Sequence, residues 1–204
     1  MKKIVFVMMM MTTFLALFAC KKIVDGCTDK SATNYNPDAT NDNSSCYYIE
    51  IGMVYQGGII GYILQQGDPG FDANAYHGLI VGPLTYSNPP WGCASTGVGG
   101  TLTTVGSGAA NTNAIVAGCT QSGTAARYCA DLVYSGYSDW YLPSKEELNK
   151  LFANRVAITY FLGDYYWSSS ESDANHAWAQ NFTSGILYSF KKDSTARVRA
   201  VRSF

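Results

Sequence analysis

The sequence predicts an α+β protein of short antiparallel strands and about three helices, preceded by a small disulfide-stapled module. Three observations carry this. Ser144 and Glu147, following Pro143, form a capping box that opens a helix with Leu148, Leu151 and Phe152 as its apolar stripe. Ala177–Phe182, Ile186–Lys191 and Ala196–Phe204 read as strands of a meander, separated by the turns Thr183-Ser184-Gly185 and Asp193-Ser194-Thr195. Between Cys27 and Cys46 almost every residue is a turn former, and almost none could build a core.

The chain opens with Lys2 and Lys3 and an apolar run from Ile4 to Ala19. A run of that length suits a signal peptide and is short for a membrane span, which needs roughly 20 residues. It ends in Leu17-Phe18-Ala19-Cys20, which resembles the bacterial lipobox. That resemblance implies a diacylglycerol on the Cys20 thiol and cleavage before it. Residues 1–19 are then a signal peptide and 20–26 a lipidated tether. The expected location is extracytoplasmic, with the protein lipid-anchored to a bacterial membrane, the outer membrane being the expected one.

Residues 27–48 form the small module. Cys27 and Cys46 are its obvious staple, a closure that contributes about 3 kcal/mol on the chain-entropy model. Its pattern resembles short repeats found between lipobox and main domain in bacterial surface proteins. Asp38, Asn41, Asp42 and Asn43 offer oxygens that suit calcium. With no Asp-x-Asp-x-Asp-Gly loop present, a spacer of capped turns is the expected reading.

The main domain is expected over residues 49–204. Met53 to Leu64 reads as two strands about a Gly57-Gly58 turn, and Gly78–Gly82 as a short buried strand. Pro83 to Gly108 is a long Gly/Ser/Thr-rich stretch whose Trp91 and Cys93 suggest ordered surface. Asn111–Gln121 reads as a helix with Ile115, Val116 and Cys119 on one side. Thr124 caps another, which places Ala125, Cys129, Leu132 and Val133 on a shared face. Cys129 is therefore read as a buried thiol and Cys93 is paired with Cys119, while a Cys119–Cys129 bridge stays open. With Cys20 taken by lipid, five of the six cysteines remain, so at least one lies outside any internal pair.

Several motifs occur in a recognisable order: Trp91-Gly-Cys93, Asn111-Thr112, Ala125-Ala126 and Gly136-Tyr-Ser-Asp-Trp-Tyr-Leu-Pro-Ser-Lys-Glu-Glu-Leu148. They continue through Tyr166-Trp-Ser-Ser-Ser-Glu171, Ala177-Trp178, Phe182 and Arg197-Val-Arg-Ala-Val-Arg202. Over about residues 52–204 the chain resembles the Lcl C-terminal domain family. The resemblance implies a fold similar to C-type lectins and formylglycine-generating enzymes. It also implies a role in surface attachment, with sulfated glycans as the kind of ligand.

Candidate binding residues follow from local chemistry. Trp167, Ser169 and Glu171 set hydroxyls and a carboxylate beside a large ring, which suits sugar hydroxyls; Trp91 is a second such ring. Asp139 is expected to bond backbone amides at a strand-to-helix corner, with Trp140 in the core. Lys191, Lys192, Arg197 and Arg199 are the only concentrated positive charge, a candidate patch for sulfate or carboxylate. Strand alternation would place Arg197 and Arg199 on one face and Arg202 on the other.

Without Lys2 and Lys3 the 14 basic residues fall to 12 against 15 acidic, a net charge of −3 that argues against nucleic acid. Only 14% of residues are charged while Tyr (15) and Gly (20) abound, a surface suited to anionic or neutral glycans. Enzymatic chemistry is not expected. No cysteine follows Cys129, where formylglycine-generating relatives need a late metal-binding pair. His77 and His176 lack zinc-site spacing, and no Gly-x-Ser-x-Gly elbow or phosphate loop occurs. No cofactor and no metal beyond the weak calcium candidates is expected. The expected function is a non-catalytic, adhesin-like lipoprotein that binds glycan or matrix; the alternative is a structural or assembly component of the cell envelope.

Overall fold

A computed structural model describes residues 22–85 and 87–204. The lipobox, Cys20 and the expected signal peptide lie outside the described residues. Among the described residues no helix is long and apolar enough to cross a membrane. The chain divides into two compact units, one ending at Tyr47 and the other running from Tyr48 to Phe204.

The first unit is held by turns and sulfur. Two residue-pair strands, β1 (Asp25–Gly26) and β2 (Asn41–Asp42), run parallel. Cys27 and Cys46 are bonded, and Cys27 and Ala32 are its buried apolar side chains. The calcium candidates are built into turns. Asp42 and Asn43 accept from the amides of Ser44 and Ser45, and Asn41 donates to Asp25. Among the described residues, no group of three or more His, Cys, Asp or Glu gathers around one point.

The second unit is mixed α+β. A four-stranded antiparallel sheet has the order β3 (Val54–Tyr55), β4 (Gly58–Ile63), β5 (Gly78–Val81), β9 (Val201–Ser203). A three-stranded antiparallel sheet has the order β6 (Tyr165–Glu171), β7 (His176–Asn181), β8 (Leu187–Lys191). Single bridges, Tyr141 to Val201 and Tyr166 to Arg197, tie the chain between them. At Gly78, a Cβ would stand 2.0 Å from the Tyr62 carbonyl oxygen, so the β4–β5 approach excludes any side chain there.

Four helices lie between β5 and β6: α1 (Gly108–Gly118), α2 (Ala125–Ala130), α3 (Lys145–Ala153) and α4 (Arg155–Ile158). The capping box opens α3 as expected: Glu147 N–H donates to Ser144 Oγ and Ser144 N–H to the Glu147 carboxylate. Helix α2 stops at Ala130, earlier than the apolar spacing suggests. Val133 therefore leaves the shared face and is 73% exposed, while Ala125 and Cys129 are fully buried. Helix α4 had no signal of its own beyond Ile158, which is buried.

Two apolar clusters form the core. One joins Ile80, Trp91, Ile115, Trp140, Leu142, Trp167 and the small side chains of β7. The other gathers Leu148, Leu151 and Ile158 against Tyr166, Phe182 and Val201. Alternation along the β6–β7–β8 ladder sends Trp167, Ala179 and Ala177 to the first cluster. Tyr166 and Gln180, on the opposite face, are equally buried, so β6 and β7 are covered on both sides there, while β8 is largely exposed.

Candidate functional site

The Gly/Ser/Thr-rich stretch is ordered by polar side chains that reach it from the core. At its start Trp91 is fully buried, and its indole N–H donates to the Ser168 carbonyl at 2.9 Å. The Lys192 ammonium sits 4.6 Å from the Trp91 ring centroid and donates to the Thr96 carbonyl at 2.8 Å. It also forms an ion pair with Glu171. The Glu171 carboxylate in turn accepts from the amides of Val98 (2.9 Å) and Gly99 (3.2 Å). One buried cation and one carboxylate thus satisfy three backbone groups of a loop that has no ladder to satisfy them.

Further along, the Leu102 carbonyl accepts from Asn111 Nδ2 (2.7 Å), Ser170 Oγ (2.7 Å) and Ser107 Oγ (3.2 Å). The Leu102 amide donates to Asn111 Oδ1 at 2.8 Å. Thr104 O accepts from Ser144 Oγ at 2.8 Å, and the Gly106 amide donates to Glu147 at 2.8 Å. Burial pushes the Glu147 carboxyl above its ordinary pKa, against the lowering pull of the amides it accepts. A Cβ at Gly108 would stand 2.2 Å from Glu147 Oε2, so only glycine lets α1 begin against that carboxylate. The Cys93–Cys119 disulfide closes the loop onto the end of α1.

Residues 94–97, 99, 100 and 102 of this pinned loop remain exposed. Leu102 is 60% exposed, and added side chains at Gly97, Gly99 or Gly100 would meet open space. Asn175, in the β6–β7 turn, accepts from the Ser95 hydroxyl at 3.1 Å and joins this surface. No residue from Ala94 to Leu102 is charged.

The expected site residues separate. Trp91, Trp167, Ser169, Lys192 and Arg199 are buried. Trp167 donates to the Pro89 carbonyl at 3.0 Å, and Ser169 Oγ accepts from Asn111. Glu171 anchors the loop from below. The basic group is not one surface patch. Lys191 is exposed, Lys192 and Arg199 are inside, and Arg197 is half-buried against Asp164 at 3.0 Å. The expectation placed Arg197 and Arg199 on a long final strand, with Lys191 and Lys192 on the strand before it, but the β9 ladder covers only Val201–Ser203 and the chain before it threads between the sheets. Asp139 does not bond neighbouring amides as its main partner. Its carboxylate takes Arg202 two-pronged at 2.8 and 2.9 Å, which holds its pKa below the ordinary value.

The anchors Asn111 and Ser170, and the loop role of Ser144 and Glu147, escaped the sequence reading. One available signal was the pairing of buried-type polar residues with a long glycine-rich segment that needs donors and acceptors. The profile of the Lcl C-terminal domain matches residues 93–202, more than half of the chain. The chain belongs to the Lcl C-terminal domain family. The Lcl match begins at the loop disulfide and ends at the guanidinium that clamps Asp139. It is narrower than the resemblance over about 52–204, leaving β3, β4 and β5 outside. No curated protein matches the chain.

Proposed function

We propose that this Lcl-domain protein is a lipid-anchored, extracytoplasmic binding protein whose loop 94–102 recognises a glycan without transforming it. One observation carries the reading: a long, exposed, uncharged loop is pinned at Thr96, Val98 and Gly99 by the Lys192–Glu171 pair beside the buried Trp91. Ordered loops on a rigid scaffold are where binding surfaces concentrate, because little entropy is lost when a partner docks. Hydroxyls, backbone amides and one exposed leucine suit a neutral sugar face better than an anionic one. The burial of Lys192 and Arg199 moves the reading away from sulfate. The non-catalytic reading is supported by the occupation of the carboxylates: Glu147 by amides, Glu171 by amides and an ammonium, Asp139 by a guanidinium. The lipobox at Cys20 supports the anchor.

Each contact on such a surface contributes about 1 kcal/mol, so useful avidity comes from many copies on one membrane. The test is a glycan array probed with the protein displayed on beads. Capture should be seen with neutral glycans, should survive raised salt, and should disappear when Ser95, Thr96 and Leu102 are changed together to Ala with the melting temperature kept. Capture that persists in the triple variant, or that vanishes with salt, overturns the loop as the site. For the anchor, Cys20→Ala should abolish incorporation of labelled fatty acid.

A further inference from the structure

The buried and half-buried cations near the end of this domain are not alike. Lys192 holds Glu171, Arg197 holds Asp164 and Arg202 holds Asp139. Arg199 is 2% exposed, and among the described residues no carboxylate lies within ion-pair distance of it. One guanidinium nitrogen donates to the Tyr160 carbonyl at 2.9 Å, the Phe161 ring lies 5.0 Å away, and the buried Nε has no partner. Burial lowers its pKa to about 10, which still leaves it charged at neutral pH. A charge removed from water without a counter-ion is costly, and the structure supplies none.

Arg199 also lines a cavity of about 280 Å³. Val54, Ile59, Val81 and Leu84 supply aliphatic wall, and the exposed Tyr134 and Tyr160 belong to its lining as well. Tyr160 and the preceding Thr159 both take positive φ, 57° and 59°, which sets the carbonyl that Arg199 bonds. The combination is an apolar recess with one uncompensated cation.

We propose that this cavity binds a small carboxylate carried on an apolar or aromatic group, the carboxylate completing the Arg199 guanidinium and the hydrophobic body filling the recess. A single cation selects a single anionic charge, and the planar fork matches a carboxylate's two oxygens. Aliphatic walls offer few partners to a hydroxyl-rich sugar, so this site and the 94–102 loop take different chemistry.

The probes are benzoate, its neutral counterpart benzamide, and inorganic phosphate, titrated into the intact protein and followed by ligand-observed NMR. Benzoate should bind saturably, and benzamide and phosphate at least about tenfold more weakly, because each lacks one half of the match. Arg199→Met should remove benzoate binding. If that variant does not fold, Val54→Trp decides: Val54 is 79% exposed, so a bulkier side chain there can close the cavity and leave the core alone. Benzamide binding as well as benzoate, phosphate binding as well as benzoate, undiminished benzoate binding to Val54→Trp, or no saturable benzoate binding each overturns the proposal. The Ser95, Thr96, Leu102 triple variant should bind benzoate like the parent, so this site and the glycan reading stand or fall separately.

Discussion

Among the described residues two segments are closed by disulfides, and they are held in opposite ways. The module around Cys27–Cys46 has turns, short Asx contacts and almost no apolar interior. The loop behind Cys93–Cys119 has the same turn-rich composition, yet it rests on Trp91, Lys192, Glu171, Asn111 and Ser170. In the first segment the bridge substitutes for a core. In the second it supplements a core that reaches out through polar side chains. Composition alone does not distinguish the two; what lies beneath each segment does.

The sharpest way to break the comparison is Lys192→Met. It leaves Glu171 buried without its cation, and the expected cost is about 3–5 kcal/mol, measured by denaturant unfolding. Hydrogen exchange should show the amides of Val98 and Gly99 losing protection first. Next come the two disulfides, each about 3 kcal/mol on the loop-closure model. Changing Cys27 and Cys46 to Ser should abolish protection throughout residues 22–47 while the unit from Tyr48 onward melts as before. Changing Cys93 and Cys119 to Ser should lower the melting temperature but leave the Leu102 amide protected, since Asn111 still holds it. If both segments lose order equally, the polar anchors are not what holds the loop.

Two smaller effects refine the picture. Ser144→Ala removes a helix cap and the bond to Thr104, a loss of about 1–2 kcal/mol by thermal melting. Asp139→Asn should cost at most about 1 kcal/mol, because its carboxylate is 56% exposed and solvent screens the pair. Since Arg202 lowers the Asp139 pKa, its contribution is complete above 3.8 and is lost as pH falls through the lowered value. The variant should therefore differ from the parent at neutral pH and converge with it in acid.

Much of the fold was legible in the sequence because its signals are local. The Ser144/Glu147 box, the β3–β4 turn (at Gln56-Gly57, one residue before the expected Gly57-Gly58) and the turns flanking β8 each lie within a few residues of what they determine. The core-facing phase of Cys129 favoured the Cys93–Cys119 pairing that the structure has, although a Cys119–Cys129 bridge stayed open on sequence alone. What stayed hidden depends on tertiary context. Lys192 reads as surface charge beside Lys191. Yet the two-residue period of β8 carries it to the same side as Phe190, which packs on the core, and that parity was the available clue. Arg199 offered no such clue, because residues 196–200 precede the β9 ladder and alternate irregularly in burial. The cavity it lines is assembled from β3–β5, the turn at Tyr134-Ser135 and Tyr160 beyond α4, segments far apart in sequence.

Cys129 has a consequence for how the protein must mature. It is the one free thiol among the described residues, fully buried, and desolvation pushes its pKa far up, so in the finished molecule it is a poor nucleophile. Before α2 docks, the same thiol is open to oxidation and close in sequence to Cys119, the cysteine that belongs with Cys93. A Cys119–Cys129 bridge would strand Cys93 and leave the loop unclosed. Correct pairing therefore depends on timing: α2 must pack against α1 before an oxidant reaches Cys119, or an isomerase must later undo the error through thiol exchange. The yield of correctly bridged protein is then a competition between local folding and oxidation, and Cys129→Ala should win it for the native pair at every oxidant concentration.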